Sequence, residues 1–195
     1  MELFKRFNDS CREVTLQLLT QLSDILGLTT GNMLEEGHRT GYPSSSCLNL
    51  IRYERDDSQE YHGQNKHTDN GTLTFLLTEQ WGLQILSKET QNWEFVEPKP
   101  GHAIINVADT LRFLSGLAFK SSVHRAIPIF EGDQKYRFSI GYFLRAEDEH
   151  KLKAVGGEVM TAKQWHDKKY INYKASHDLQ KTNPILLGGM NVAVS

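Results

Sequence analysis

Three residues of this sequence have the types and spacing to hold a metal ion. His67-Thr68-Asp69 sets an imidazole and a carboxylate two positions apart, and in an extended strand such residues point to the same side. Alone, the triplet reads equally well as a polar strand end. A second imidazole, His124 in Ser121-Ser-Val-His-Arg-Ala126, lies far along the chain in another segment of strand character. Brought in from a neighbouring strand, it completes a two-histidine, one-carboxylate set that leaves positions open on an octahedral ion. Fe(II) oxygen chemistry needs such positions, to hold an organic acid and dioxygen side by side. A catalytic zinc ion accepts the same ligand types, so the donor set alone leaves both metals open.

A second group of residues asks for an anion. Arg137 and Ser139 alternate along a segment whose other members, Ile140, Tyr142, Phe143 and Leu144, predict a buried strand. A buried guanidinium without a counter-charge is costly, and a planar fork donor beside a hydroxyl suits a carboxylate.

The elements that must position these residues are short. From Cys47 the strand candidates are Leu48–Tyr53, Lys66–Asp69, Thr72–Thr78, Leu83–Leu86, Trp93–Val96, Ala103–Val107, Ser121–Ile127 and Arg137–Leu144, with turn residues between them. A short helix is expected over Asp109–Leu117. Ahead of the strands, Val14, Leu18, Leu22 and Ile25 predict an amphipathic helix over residues 9–27, capped by Asp9 or Ser10 and ended by Gly27. A polar loop runs from there to Ser46. Behind the strands, one long helix is expected over Thr161–Gln180 with Thr161 as its cap, and the tail Pro184–Ser195 has no strong pattern. The chain therefore reads as mainly β with flanking helices, a jelly roll rather than a parallel sheet with crossovers. Its expected divisions are 1–46, a core at 47–146, and 147–195.

Other candidates read as structural. His62 is expected in a polar loop and His102 at a strand start, while His38, His150, His166 and His177 lack a carboxylate at ligand spacing. Trp81, Trp93 and Trp165 read as packing, Phe113 and Leu114 as core, and the Lys168-Lys169 doublet as a solvated helix face. Leu73, Phe75, Leu77 and Tyr142 fit either a pocket lining or the packing between layers.

Composition narrows the partners. A formal net charge of −2 offers no basic excess to neutralise phosphates, so no nucleic-acid partner is expected. No apolar run approaches a membrane span or a signal peptide, so no membrane partner is expected. Two distant cysteines, Cys11 and Cys47, argue against a disulfide framework and fit a cytoplasmic location.

Five segments carry a more specific signal: HTDNGTLTFLL, WGLQIL, PGHAIINVADTLRFLSG, SSVHRA and RFSIGYFLR. In this order, from about Cys47 to Arg145, the chain resembles the isopenicillin N synthase-like branch of the 2-oxoglutarate/Fe(II) dioxygenases. The resemblance implies a double-stranded β-helix, a kind of jelly roll. It implies Fe(II) held by His67, Asp69 and His124 as the catalytic centre, and the distal carboxylate of the cosubstrate 2-oxoglutarate held by Arg137 and Ser139. Tyr53 falls where many members place a residue near the cosubstrate. The reaction implied is oxidation of a small-molecule substrate by dioxygen (hydroxylation, desaturation or cyclisation) with release of succinate and CO2. Two departures stand out: the usual longer N-terminal region is absent, and the gap from His124 to Arg137 is longer than in many relatives, room for a turn at Glu131-Gly-Asp133. The first leads to an expectation of exposed apolar surface near the first helix. Two other readings remain: an oxidase of the same family that needs no 2-oxoglutarate, and an inactive paralogue that serves as a binding module.

Overall fold

In a computed structural model, residues 2–55 and 63–190 are described. The expectations for His62, for the His177 side chain and for the last five residues of the tail lie outside them. The chain opens with α1 (Glu2–Ile25) and a 3-10 turn at Leu34–Gly37. It then runs through β1 (Cys47–Glu54), β2 (Gln64–His67), β3 (Leu73–Leu77), β4 (Leu83–Leu86), β5 (Trp93–Phe95), β6 (Ile104–Val107), α2 (Asp109–Leu114), β7 (His124–Ala126) and β8 (Tyr136–Leu144). The hairpin β9 (Lys151–Lys153) and β10 (Val159–Thr161) follows, then α3 (Ala162–Tyr173), α4 (His177–Thr182) and a 3-10 turn at Pro184–Leu187.

Among the described residues, β1 to β8 form two antiparallel four-stranded sheets, ordered β1-β8-β3-β6 and β2-β7-β4-β5. Apart from the β4–β5 hairpin, successive strands pass from one sheet to the other, which is the jelly roll expected. The first sheet sorts its side chains by the two-residue period. Tyr53 pairs with Arg137, Ile51 with Ser139 and Asn49 with Gly141, and Phe143 pairs with Thr74, which pairs in turn with Asn106. Asn49, Ile51, Tyr53, Thr74, Leu76, Arg137, Ser139 and Phe143 line a cavity between the sheets. The opposite parity settles the open alternative for Leu73, Phe75 and Tyr142. Leu73, Tyr142 and Leu144 are buried under α1 with Cys11, Leu19 and Leu34, and Phe75 packs against them.

Several expectations need correction. Helix α1 starts at Glu2, not near residue 9, so Asp9 and Ser10 are interior; Asp9 pairs with Lys5 at 2.8 Å. Its buried stripe is Cys11, Thr15, Leu19 and Ser23, whereas Val14 and Ile25 are exposed. The two hydroxyls are satisfied there: Thr15 donates to the Cys11 carbonyl at 2.8 Å, and Ser23 donates to Glu35 at 2.7 Å while accepting from the Leu34 amide. Leu3, Phe4 and Ile25 do leave apolar surface exposed on this helix. The expected helix over Thr161–Gln180 is two. Thr161 caps α3 through a reciprocal box with Gln164, but α3 stops at Tyr173 because the Gln180 side chain folds back onto the Tyr173 and Ala175 carbonyls, both at 2.9 Å. The β9–β10 hairpin and the Pro184–Leu187 turn were not expected. The hairpin closes a second core, in which Leu152 and Met160 pack with Trp165 and Phe113; the two rings meet edge to face at 5.0 Å. The turn at Glu131-Gly-Asp133 is present, closed by the Gln134 amide on the Glu131 carbonyl.

His38 makes a testable contribution. Its Nδ1 donates to the Leu34 carbonyl at 3.0 Å and its Nε2 accepts from the Thr72 hydroxyl at 2.7 Å. Burial, reinforced by nearby His150, pushes this imidazole down to about 4. Below the ordinary histidine value of 6.5, the unfolded chain takes up a proton that the native chain refuses. The His38 contribution to stability therefore falls as pH drops from 6.5 to about 4, by roughly 3 kcal/mol, and levels off below. Urea unfolding of wild type and His38→Gln across that window checks this. The variant is expected to be weaker at neutral pH but flatter in its acid response; equal slopes would contradict it.

Candidate metal centre and its cavity

His67 ends β2, His124 begins β7, and the two pair across the second sheet. Asp69 lies two residues beyond the end of β2, in the loop to β3. The expected strand Lys66–Asp69 therefore ends early: β2 stops at His67, and the carboxylate is carried by the irregular segment that follows it. Asp69 Oδ1 stands 3.7 Å from His67 Nε2 and 3.5 Å from His124 Nε2. One ligand atom from each of the three lies within 4.8 Å of the others, close enough for one ion to touch all three.

Each donor is oriented by a second bond. His67 Nδ1 lies 2.7 Å from the Asn65 carbonyl and His124 Nδ1 lies 3.0 Å from the Ser122 carbonyl. A carbonyl only accepts, so each Nδ1 carries a hydrogen and each Nε2 is the nitrogen turned to the cluster. Asn106 donates to Asp69 Oδ2 at 2.6 Å. Burial, with His124 alongside, pushes His67 down to about 3, so it is neutral near pH 7. Burial pushes Asp69 up, but the two histidines outweigh it and hold the carboxyl below the usual range. His124 is raised because Asp69 and its bond to it outweigh burial. A neutral imidazole and an ionised carboxylate are the forms that bind metal.

This segment is held by Lys169, a residue expected on a solvated helix face. Its neighbour Lys168 is exposed and pairs with Glu158, but Lys169 is fully buried. Its ammonium donates to the Thr68 carbonyl and hydroxyl, both at 2.7 Å, and to Asp109 Oδ2 at 2.5 Å. Tyr173, one turn on, donates to the same Thr68 carbonyl at 3.0 Å and sets its ring edge-on to His67 at 5.7 Å. The Thr68 amide donates to the Leu186 carbonyl. The middle residue of the triplet is thus held from α3 and from the last turn of the chain. The start of α2 holds the rest, since the amides of Asp109 and Thr110 donate to the carbonyls of Asp69 and Gly71. Gly188 is required by this packing: its φ is +65° and a Cβ there would stand 2.4 Å from Asp109 Oδ1.

Arg137, Ser139 and Tyr53 lie together in the same cavity. Arg137 is 2% exposed; its Nε donates to the Trp81 carbonyl at 2.8 Å and its guanidinium lies 5.5 Å from the Tyr53 ring. Among the described residues it pairs with no carboxylate. Gly82 makes its place: with φ at +133°, a Cβ would stand 2.8 Å from Arg137 Nε and 2.7 Å from the Ile127 carbonyl. All six residues singled out from sequence therefore line one cavity. Lys169, Asp109 and Tyr173 were missed. The remaining histidines stand apart from the cluster among the described residues, His102 bonding only its own turn through the Pro100 carbonyl.

The Lys169 pair carries a prediction. Lys169→Met leaves the buried Asp109 carboxylate with Arg112, at 3.7 Å, as its one remaining cation among the described residues, and is expected to cost on the order of 3–5 kcal/mol. Adding Asp109→Asn removes the uncompensated charge and is expected to recover more than half of that. Denaturant unfolding of both variants measures it; a single variant within about 1 kcal/mol of wild type would contradict the role assigned to the pair.

Comparison with known proteins agrees with this geometry. The model of the 2OG-Fe(II) oxygenase superfamily matches residues 44–146. The 2-oxoglutarate-dependent dioxygenase frbH of Dothideomycetidae sp. is 48% identical over 96% of this chain and 59% of its own length. The 2-oxoglutarate-dependent dioxygenase iboH of Amanita muscaria is 44% identical over 97% of this chain and 93% of its own. The chain thus spans less than two thirds of the first relative. Among solved structures, the rice dioxygenase for auxin oxidation shares the fold, with a TM-score of 0.71 over 92% of this chain and 62% of that one at 20% identity. A shared fold, a matching family model and high identity over nearly the whole chain lead to one conclusion: the chain belongs to the 2OG-Fe(II) oxygenase superfamily.

Proposed function

We propose that this chain is an oxidoreductase, a 2-oxoglutarate-dependent dioxygenase that binds Fe(II) at His67, Asp69 and His124 and oxidises a small organic molecule. The observation that carries the reading is a pairing within one cavity: two histidines and a carboxylate whose ligand atoms converge, and a buried arginine without a carboxylate partner among the described residues. Iron, when bound, supplies the redox chemistry in which dioxygen gives one atom to 2-oxoglutarate, which leaves as succinate and CO2, and the other to oxidation of the substrate.

The residues contribute binding, orientation and charge. His67 and His124 present Nε2 because backbone carbonyls hold Nδ1. Asp69 adds the negative charge, its other oxygen tied to Asn106. Arg137 would receive the distal carboxylate of 2-oxoglutarate, with Ser139 on the same face of β8. Burial of Arg137 strengthens that pairing and makes it selective for an anion. Tyr53, opposite Arg137 in the ladder, would close that end of the cavity against water.

Two variants separate the parts of this reading. Asp69→Ala is expected to lose most Fe(II) affinity and all succinate production; iron bound as tightly as in wild type would sink the ligand assignment. Arg137→Leu is expected to keep iron while the 2-oxoglutarate needed for half-maximal turnover rises by more than about tenfold. Ser139→Ala is expected to do the same more weakly. An unchanged 2-oxoglutarate requirement in Arg137→Leu would mean that the cosubstrate is held elsewhere or not used.

A further inference from the structure

The cavity carries more positive charge than iron and 2-oxoglutarate use. Among the described residues its charged lining is Asp69 together with Arg125, Arg137 and Arg145. On the function proposed above, the carboxylate of Asp69 and the two of 2-oxoglutarate are offset by Fe(II) and Arg137. Arg125 and Arg145 are then cations beyond that balance; Arg125 donates to Gln84 at 2.8 Å and lies over the Trp93 ring.

The surroundings of Arg145 fix it without neutralising it. Nε donates to the Asn70 carbonyl at 2.8 Å, Nη1 donates to the Ser45 carbonyl, and Cys47 Sγ lies 3.2 Å from Nη1. The guanidinium stands 5.4 Å from the Phe143 ring. No carboxylate pairs with it among the described residues, and its Nη2 has no partner there. Arg137 sits at the start of the nine-residue β8 and Arg145 just past its end, so roughly 25 Å of strand separates their backbones. A short diacid held at Arg137 therefore leaves Arg145 without an anion. Asn70 follows Asp69 directly, which puts Arg145 at the end of the cavity beside the metal ligands.

We propose that Arg145 anchors a carboxylate of the prime substrate, so that the substrates of this site are small carboxylic acids. One guanidinium edge left over by the Asn70 and Ser45 carbonyls, Cys47 and Phe143 suits a carboxylate; a phosphate dianion calls for more donors. The inference rests on the proposed function.

The test is 2-oxoglutarate consumption by iron-loaded protein in the presence of matched small carboxylates and their primary amides: amino acids and amino-acid amides, benzoate and benzamide. Acids are expected to stimulate consumption, and the amides to need roughly tenfold higher concentrations or more. Arg145→Gln is expected to abolish that preference, and Arg145→Lys to keep it in weakened form. Should the glutamine variant fail to fold, the lysine variant carries the test through a selective loss of acid affinity. Equal response to acids and amides, no response to any acid, or a preference that survives in Arg145→Gln would overturn the assignment. Calorimetric titration of 2-oxoglutarate into the iron-loaded wild type separates the two claims. Binding without acid preference defeats Arg145 alone; no binding defeats the proposed function and the inference with it.

Discussion

The ammonium of Lys169 meets the Thr68 carbonyl, the Thr68 hydroxyl and Asp109 in a region closed to water, and the rest of the site depends on that meeting. An H-x-D triplet on a free loop has no reason to turn both side chains to one point. Here its middle residue is clamped from outside the barrel, while the carbonyl of Asp69 is held by the start of α2. The clamp carries a large desolvation cost: burial pushes the Lys169 ammonium down, against the pull of Asp109. A buried pair of this kind is weak evidence for stability and better evidence for a fixed arrangement. What it fixes is the distance from Asp69 to two histidines that belong to a sheet.

This divides the labour between the two layers. The second sheet supplies the imidazoles, paired across β2 and β7, and the first supplies the floor on which Arg137 and Ser139 stand. Their separation from the two histidines is set by strand geometry, which is stiff; Asp69 comes from an irregular segment, which must be held. The C-terminal helices look like appendages to the jelly roll in sequence. In the fold they complete the site, because Lys169 and Tyr173 both reach Thr68.

How much of this was legible follows from the physics of each element. Strands bounded by glycine and proline were readable because period-two alternation and turn chemistry agree there, and Arg137 stood out because a charge in an apolar strand conflicts with its setting. The face of α1 was misread because its buried stripe includes Thr15 and Ser23, whose hydroxyls find partners that only the fold supplies. The β9–β10 hairpin offers a single inward apolar residue per strand, Leu152 and Met160, too little for a period to register. Lys169 was illegible for a related reason. Adjacent helix positions differ by about 100°, so a lysine doublet puts one member in solvent and the other wherever the helix docks. Only the buried carboxylate of Asp109, distant in sequence, says which.

The central claim is that one ion and one keto acid share this cavity. An anaerobic titration of 2-oxoglutarate into the Fe(II)-loaded protein, followed by visible absorption, tests it most directly, because chelation of Fe(II) by a 2-keto acid produces a charge-transfer band. The account predicts a band that saturates at one 2-oxoglutarate per protein and is missing in Asp69→Ala. Iron-saturated wild type that shows no band at any 2-oxoglutarate concentration would contradict it.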